Sequence, residues 1–244
     1  MAANVRKNQK DLSPQAWQTF IDAINQTHGV SAAPLAYRSF VQVHETAMSA
    51  AGMAWSVHTM PGMGVGRNFL AWHRQYLVQF EKRLQVVHPT ITLPYWDWIV
   101  QPTIPQPLSD PALLTSWSVT RDWHPEFMPH AADLAPVLAK SSFRPFQTAL
   151  ERLHGSVHIA VGGPSSDPQQ MGTMATAHSP ADPVFWLHHA NIDRLWAQWE
   201  TAHANAAPPN AGEVLQPAQW QGVPLFGVPV SAVLSIPALN YSYA

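Results

Sequence analysis

Cysteine is absent from the 244 residues, which excludes disulfides, thiolate metal sites, blue-copper centres and iron–sulfur clusters. Charge is scarce at 11% of the chain and nearly balanced, 13 basic against 15 acidic residues for a net of −2. No nucleic acid and no polybasic membrane contact is therefore expected as a partner. No apolar run approaches the roughly 18 residues of a membrane span. The polar start, Met1 to Lys10, has no apolar stretch of the signal-peptide kind, so no secretory signal is expected and the cytoplasm is the default compartment. What the chain does hold is 46% hydrophobic residues with 11 Trp, enough for a sizeable core, and 13 His, as many as Lys and Arg together.

Five segments carry helical periodicity. The first follows Ser13-Pro14, a cap and a first-turn proline, and runs to about Thr27 with Trp17, Phe20, Ile21 and Ile24 on one face. The others span about Leu35 to Ala50, Phe69 to Val87, Phe143 to Ala160, and Pro183 to His203. Pro145 restricts the fourth to starting near Phe143. Asp182 suits the cap of the last helix and Pro183 its first position. Residues 101–142 are Pro- and Ser-rich without a sustained period and read as a long loop, a candidate wall of a binding site. Residues 161–181 are a second loop, and the Val-Pro alternation from about Leu215 reads as short strands or a hairpin. No repeat or linker divides the chain, so residues 1–244 are expected to form a single domain. The fold class expected is mainly α: a four-helix bundle with long loops and a few short peripheral strands.

The histidines fall into two sets. His154 and His158 lie four apart on one helix, so their rings stack on one face about 6 Å apart. The pair His188-His189 on the last helix offers a third imidazole. In the N-terminal half His44 and His73 sit inside apolar helical patterns, and His58 lies in a Gly- and Met-containing loop between them. Neutral imidazole suits Zn, Cu, Fe and Ni, and two sets of three on four helices suggest a dinuclear all-imidazole site inside the bundle. A di-iron carboxylate bundle needs two Glu-x-x-His pairs and two further Glu. Glu151/His154 and Glu200/His203 match that spacing, but His203 lies about 21 Å along the helix from His189, at its polar end. His88, His124, His130 and His203 read as surface or loop residues, and His178 borders the last helix in a loop. Trp186, Trp196 and Trp199 read as core.

These segments resemble the tyrosinase, catechol oxidase and mollusc-type haemocyanin superfamily of type-3 copper proteins. Its copper-B signature, Asp-Pro-x-Phe-(apolar)-x-x-His-x-x-x-Asp, is matched by Asp182, Pro183, Phe185, Trp186, His189 and Asp193, and its upstream pair by His154 and His158 before Val161-Gly162-Gly163. Its copper-A signature, Phe-x-x-Trp-His-Arg-x-x-Leu-x-x-x-Glu, is matched by Phe69, Trp72, His73, Arg74, Leu77 and Glu81. Val5 to Asn8, Pro94 to Trp98 and Tyr241-Ser242-Tyr243 are similar to further landmarks of the family. The resemblance implies two copper ions held by His44, His58 and His73 and by His154, His158 and His189. It leaves His188 lining the pocket or supporting the ligands, with Asp193 orienting an imidazole or the helix and Arg194 structural. One departure stands out: the family places the second copper-A histidine at the register of Met63 or Gly64, whereas here His58 is the only histidine between His44 and His73. His28 is the alternative for the first ligand.

The activity implied is oxidation of phenols by O2, with O2 and a phenolic small molecule as partners and a copper-delivery protein as a further one. Three features favour an enzyme over a dioxygen carrier. The chain reaches its tyrosine motif without a shielding domain, Thr176 is small where some relatives carry a blocking residue, and the Pro-rich loop can wall a pocket. Monophenol hydroxylation requires removing a phenol proton of pKa near 10, attributed in relatives to a water held by a Glu and an Asn. Gly155 stands at that Asn position, Glu151 is the candidate carboxylate or base, and Ile159 suits packing against a substrate ring. Oxidation of o-diphenols to o-quinones is therefore expected to exceed monophenol hydroxylation. An o-aminophenol oxidase and a haemocyanin-like O2-binding protein are the alternatives.

Overall fold

The computed structural model describes residues 4–29, 36–59, 65–167 and 169–244. Seven α-helices lie among them: α1 (Pro14–Gly29), α2 (Tyr37–Ala47), α3 (Phe69–Val87), α4 (Pro111–Ser116), α5 (Ala131–Leu138), α6 (Phe143–Gly162) and α7 (Val184–Ala202). Strand β1 (Asn4–Arg6) pairs in parallel with β4 (Tyr241–Tyr243), and β2 (Gln219–Trp220) pairs antiparallel with β3 (Val223–Pro224). The mainly α architecture is the expected one. Helices α2, α3, α6 and α7 form the bundle, and α1 packs against α2 and α3. Among the described residues no helix is long and apolar enough to cross a membrane.

The long helices start and stop for local reasons. Pro183 already has helical dihedrals (φ −56°, ψ −22°), and the Asp182 carboxylate accepts from the Val184 N–H at 3.0 Å, so Asp182 acts as the cap of α7. Arg121 grips the same carboxylate through two 2.7 Å bonds. Pro145 fits inside α6 because first-turn N–H groups have no helical partner to lose. At the other end Gly163 takes φ +82°, and a Cβ there would collide with the Asp122 side chain. At Gly162 a Cβ would fall inside the backbone of Ala175, so the loop that follows can lie against the helix only over a glycine.

Two expectations change. Helix α2 is shorter than 35–50: Leu35 lies outside the described residues, and after Ala47 the chain tightens into a 3₁₀ segment, Ala50–Trp55. The 101–142 stretch contains two helices: α4, capped by the Asp110 carboxylate on the Ala112 N–H, and α5. At six and eight residues they are too short to display a helical period. Part of this stretch packs on the end of α6, where the Asp122 and His124 N–H groups donate to the carbonyls of Val161 and Ala160. Near the C-terminus β2 and β3 form the expected hairpin, its turn residues Gln221 and Gly222 both at positive φ. That hairpin lies over α3: Trp72 donates its indole N–H to the Gln216 carbonyl at 2.7 Å and stacks on Phe226.

Helix α3 is buried on nearly every side, including the polar Arg74, Gln75 and Glu81. The two charges survive burial because they belong to one network centred on Asp193 in α7. Asp193 receives Arg74 at 2.5 Å, Arg6 at 3.3 Å, and the Tyr241 and Tyr243 hydroxyls at 2.6 Å each. Arg6 also forms a fork with Glu81, at 3.2 and 2.9 Å, and Arg74 reaches Glu200 at 2.9 Å. Burial alone would raise the Asp193 pKa, but Arg74, Arg6 and the two hydroxyls outweigh it and hold the carboxyl below its ordinary value. Of the two roles expected for Asp193, orienting an imidazole or the helix, its contacts fit the second: its oxygens bind guanidinium and phenol groups of α3, β1 and β4, and no imidazole is among these partners.

The large aromatics fill the space between the helices. Trp186 stacks on Phe80 with centroids 3.5 Å apart, Trp199 stacks on Phe146, and Trp196 lies beneath the Arg74 guanidinium. His28 stacks on Tyr37 at 3.9 Å and near Trp117, and burial lowers its pKa from 6.5 to about 4.

Two outcomes follow from these packed charges and rings. Asp193→Ala leaves buried guanidinium groups uncompensated and should cost about 3–5 kcal/mol, seen as a lower denaturant midpoint at unchanged slope. Because the fold favours neutral His28, its contribution is intact above pH 6.5 and is lost progressively as the pH falls towards 4. His28→Phe should flatten the fall in melting temperature across that window, measured on metal-free protein.

Candidate metal centre

Seven imidazoles meet in the middle of the bundle, in two groups. His44 (α2), His58 (the loop before α3) and His73 (α3) form one, and His154 and His158 (α6) with His188 and His189 (α7) form the other. Within each group one ligand atom per residue lies within 4.8 Å of all the others. The groups adjoin: His73 and His189 stack with centroids 4.3 Å apart, and His58 stands 6.1 Å from His154.

Hydrogen bonds fix which nitrogen is free in four of the rings. Nδ1 of His44 lies 2.9 Å from the Ala177 carbonyl, Nδ1 of His73 2.8 Å from that of Phe69, and Nδ1 of His158 2.6 Å from that of Met174. His154 Nδ1 makes a longer contact, 3.2 Å, to the Glu151 carbonyl. A carbonyl only accepts, so Nδ1 must carry the proton in each case, and Nε2 keeps its lone pair. The Nε2 atoms of His44, His58 and His73 are buried without any hydrogen-bond partner. Those of His154 and His158 converge on His189 Nε2 at 3.1 and 3.4 Å. His189 can supply one proton at most, so lone pairs there face one another unless a cation lies between them. The separations match the roughly 3.3 Å edge of a tetrahedron with metal–nitrogen bonds of about 2.0 Å. Both groups fit a metal ion of the kind imidazole prefers, copper among them.

Burial keeps these rings neutral. It lowers the pKa of His44 from 6.5 to about 3, and that of His158 to about 4, in each case against a backbone hydrogen bond that opposes the shift. His58, His73, His154, His188 and His189 are held well below 6.5, burial again being the largest cause and neighbouring imidazoles adding to it.

Glu151 is nearly buried, and both its oxygens are occupied. Oε1 accepts from the Thr59 N–H at 2.6 Å and Oε2 from the Thr59 hydroxyl at 2.8 Å, while His58 Nδ1 lies 4.0 Å from Oε1. Burial raises the Glu151 pKa, against the two bonds from Thr59 and the charge of Arg152. Glu151 thus ties the loop bearing His58 to α6. The register of Met63 and Gly64 lies outside the described residues, and His58 is the histidine that stands beside His44 and His73.

The other named residues take the following places. Gly155 is half-buried, with open space where a Cβ would go. Ile159, next to His158, is 39% exposed. Thr176 turns its hydroxyl back onto the Thr173 carbonyl. A cleft of about 590 Å³ opens beside His58, lined by Ala47, Met53, Val57 and Val65 among others. His178 bonds Glu45 at 2.7 Å, Arg194 bonds Asp97 at 2.7 Å, and His28 belongs to neither group. The di-iron arrangement does not assemble: Glu200 is taken by Arg74, and His203 stacks on Trp199 at the end of α7. Thr59 and the carbonyls of Ala177 and Met174 are orienting groups that the sequence did not reveal, because main-chain acceptors leave no residue signature.

Comparison with known proteins bears on the whole of this architecture. A family model, the common central domain of tyrosinase, matches residues 34–126 and 110–202. A tyrosinase from Streptomyces lincolnensis is 31% identical over 252 residues, covering 83% of this chain and 85% of that one. Deoxygenated hemocyanin from Rapana thomasiana superposes with a TM-score of 0.75 at 22% identity, over 100% of this chain and 70% of that one. The polyphenol oxidase of Grenache (Vitis vinifera) superposes with a TM-score of 0.68 at 20% identity, over 100% and 85%. At those identities the two structures speak for the fold.

The tether at Thr59 yields an outcome for metal binding. Glu151→Ala should weaken one of two bound metal equivalents by about 10–100-fold and leave the other unchanged, measured by chelator competition.

Proposed function

The chain belongs to the tyrosinase family, type-3 copper oxidoreductases that act on phenols with O2 and hold two copper ions on three histidines each, and from that premise we propose that it is chiefly an oxidase of o-diphenols. In this reading His44, His58 and His73 hold one copper, and His154, His158 and His189 hold the other. Residues 1–244 act as one catalytic domain, for which the continuous hydrophobic core shared by α1, α2, α3, α6 and α7 is the support.

The observation that carries the preference for diphenols is the state of Glu151 and Gly155. Both carboxylate oxygens of Glu151 are occupied by Thr59, and Gly155 has no side chain. The pair that would have to hold a proton-accepting water against an incoming monophenol therefore lacks its Asn member, while Glu151, held by Thr59, keeps one further acceptor site on each oxygen. Copper held on these two sets of imidazoles would supply the redox chemistry, a four-electron reduction of O2 at the expense of two diphenols. Two diphenols then give two o-quinones and two waters, with four protons accounted for.

The protein's own contribution is orientation and charge. The carbonyls of Ala177, Phe69 and Met174 hold three rings with Nε2 turned to the metal, and burial keeps every imidazole unprotonated and available. Ile159 offers an exposed apolar side chain next to His158 for a substrate ring. Gly155 leaves space at the same helix face, Thr176 places no bulky group nearby, and His188 lines the inner wall. An o-aminophenol has the same ortho geometry and two removable protons, so it belongs to the same substrate class. A copper-delivery protein would use the cleft beside His58.

The copper-loaded protein should turn over catechol faster than phenol or tyrosine, and Gly155→Asn should raise the monophenol-to-diphenol rate ratio by about tenfold, less than the roughly 10²–10⁴ of a full general base because the amide only helps to hold the water. Oxygen consumption with each substrate checks both. Faster turnover of a monophenol by the unmodified protein would reverse the assignment, and reversible O2 uptake without catechol oxidation would make it a dioxygen carrier.

A further inference from the structure

We propose that Arg152 selects among diphenols by binding an anionic tail of the substrate, so that the preferred diphenols carry a carboxylate held one or two carbons off the ring. The inference names a substrate class for the site above and rests on that reading.

Helix α6 carries Arg152, Gly155 and Ile159 at the i, i+3, i+7 spacing that makes one stripe of a helix surface. Arg152 and Ile159 are exposed and Gly155 is half-buried. Gly155 sits about 60° round the axis from Arg152, toward the face that bears His154 and His158. The stripe therefore runs along the edge of the metal face. It has an apolar side chain at one end, open space at Gly155 in the middle, and a guanidinium at the other end.

Arg152 is uncommitted. Arg6, Arg67, Arg74, Arg121 and Arg194 each grip a carboxylate. Arg152 makes no hydrogen bond or ion pair among the described residues, and no acidic residue lies outside them. Glu151, its neighbour in the chain, turns to Thr59 and feels Arg152 only as a nearby charge that lowers its pKa against burial. Arg144, also unbonded on α6, lies about 12 Å further along the axis, away from the ligands.

A guanidinium with five donors and no protein acceptor suits a carboxylate, which it can hold through two parallel hydrogen bonds. Helical side chains lean toward the N-terminus. Ile159 thus leans toward Gly155, where a substrate ring has room, and Arg152 leans away from it. That offset matches a carboxylate on a short flexible tail better than one attached directly to the ring. The tail takes no part in the oxidation, so the contact acts on KM more than on kcat.

The test measures oxygen consumption by the copper-loaded full chain with dihydrocaffeate and dopamine, catechols whose two-carbon tails end in a carboxylate and an ammonium. At low ionic strength the unmodified protein should favour dihydrocaffeate in kcat/KM. Arg152→Gln should lower the dihydrocaffeate-to-dopamine ratio about fivefold, through KM, the upper end for an exposed ion pair. Arg152→Lys should keep most of the preference, Arg152→Glu should reverse it, and salt at about 1 M should erase it. The same preference should appear without turnover, as tighter calorimetric binding of hydrocinnamate than of phenethylamine to the copper-loaded protein. A ratio that Arg152→Gln and Arg152→Glu both leave unmoved would overturn the proposal and make Arg152 a solvated surface residue. An equal fall in kcat for both substrates would overturn it too, since a packing defect does not read the sign of a tail. Failure to oxidise either catechol would sink the diphenol reading and this proposal with it, whereas turnover of both without regard to tail charge sinks this proposal alone.

Discussion

The arrangement depends first on the carboxylate of Asp193. It sits on α7 one helical turn from His189, and through Arg74 it grips α3 one residue from His73. A buried carboxylate between two buried guanidinium groups has one favourable geometry, because any slide of α3 along α7 separates charges that no water can reach. The ion pair therefore fixes the axial register of the two helices whose imidazoles stack at the junction of the two groups. Arg6 and the tyrosines of β4 extend the same restraint to both terminal strands, so segments far apart in sequence converge behind the metal centre.

On the other side of the imidazoles the restraint is of a different kind. A ring that is to donate a lone pair to a metal must first have its proton placed on the far nitrogen, and here the backbone does that work for His44, His73 and His158. Charge holds the helices and uncharged carbonyls aim the ligands. The separation has a physical logic: a carboxylate against each ring would favour protonation of the imidazole, whereas a carbonyl sets the tautomer and leaves burial to keep the ring neutral.

Much of this was legible in the sequence, and the parts that were not have physical reasons. The long helices α3, α6 and α7 carry enough turns for periodicity to show, whereas α4 and α5 do not. His154 and His158 announce themselves by their spacing, and His58 by being the only histidine in its interval. The roles of Arg74 and Glu81 were not legible because their partners, Asp193 and Arg6, lie 119 and 75 residues away in the chain. For the same reason the sequence left open whether Asp193 orients an imidazole or the helix: its partners are remote. Glu151 was recognisable as a carboxylate near the site, but its attachment to Thr59 spans 92 residues and has no local pattern.

The loop between α6 and α7 touches both groups at once. Within four residues it presents the Met174 carbonyl to His158 and the Ala177 carbonyl to His44, while His178 and Pro180 fasten it to Glu45 and Tyr37 of α2. The two contacts that aim imidazoles are made by main-chain oxygens, which every amino acid carries. The aim of the two ligands thus depends on the spacing between residues 174 and 177, although the Met174 side chain is itself part of the buried core. An insertion or deletion of a single residue there would re-aim a ligand of each group together, so the length of this segment couples the two halves of the centre.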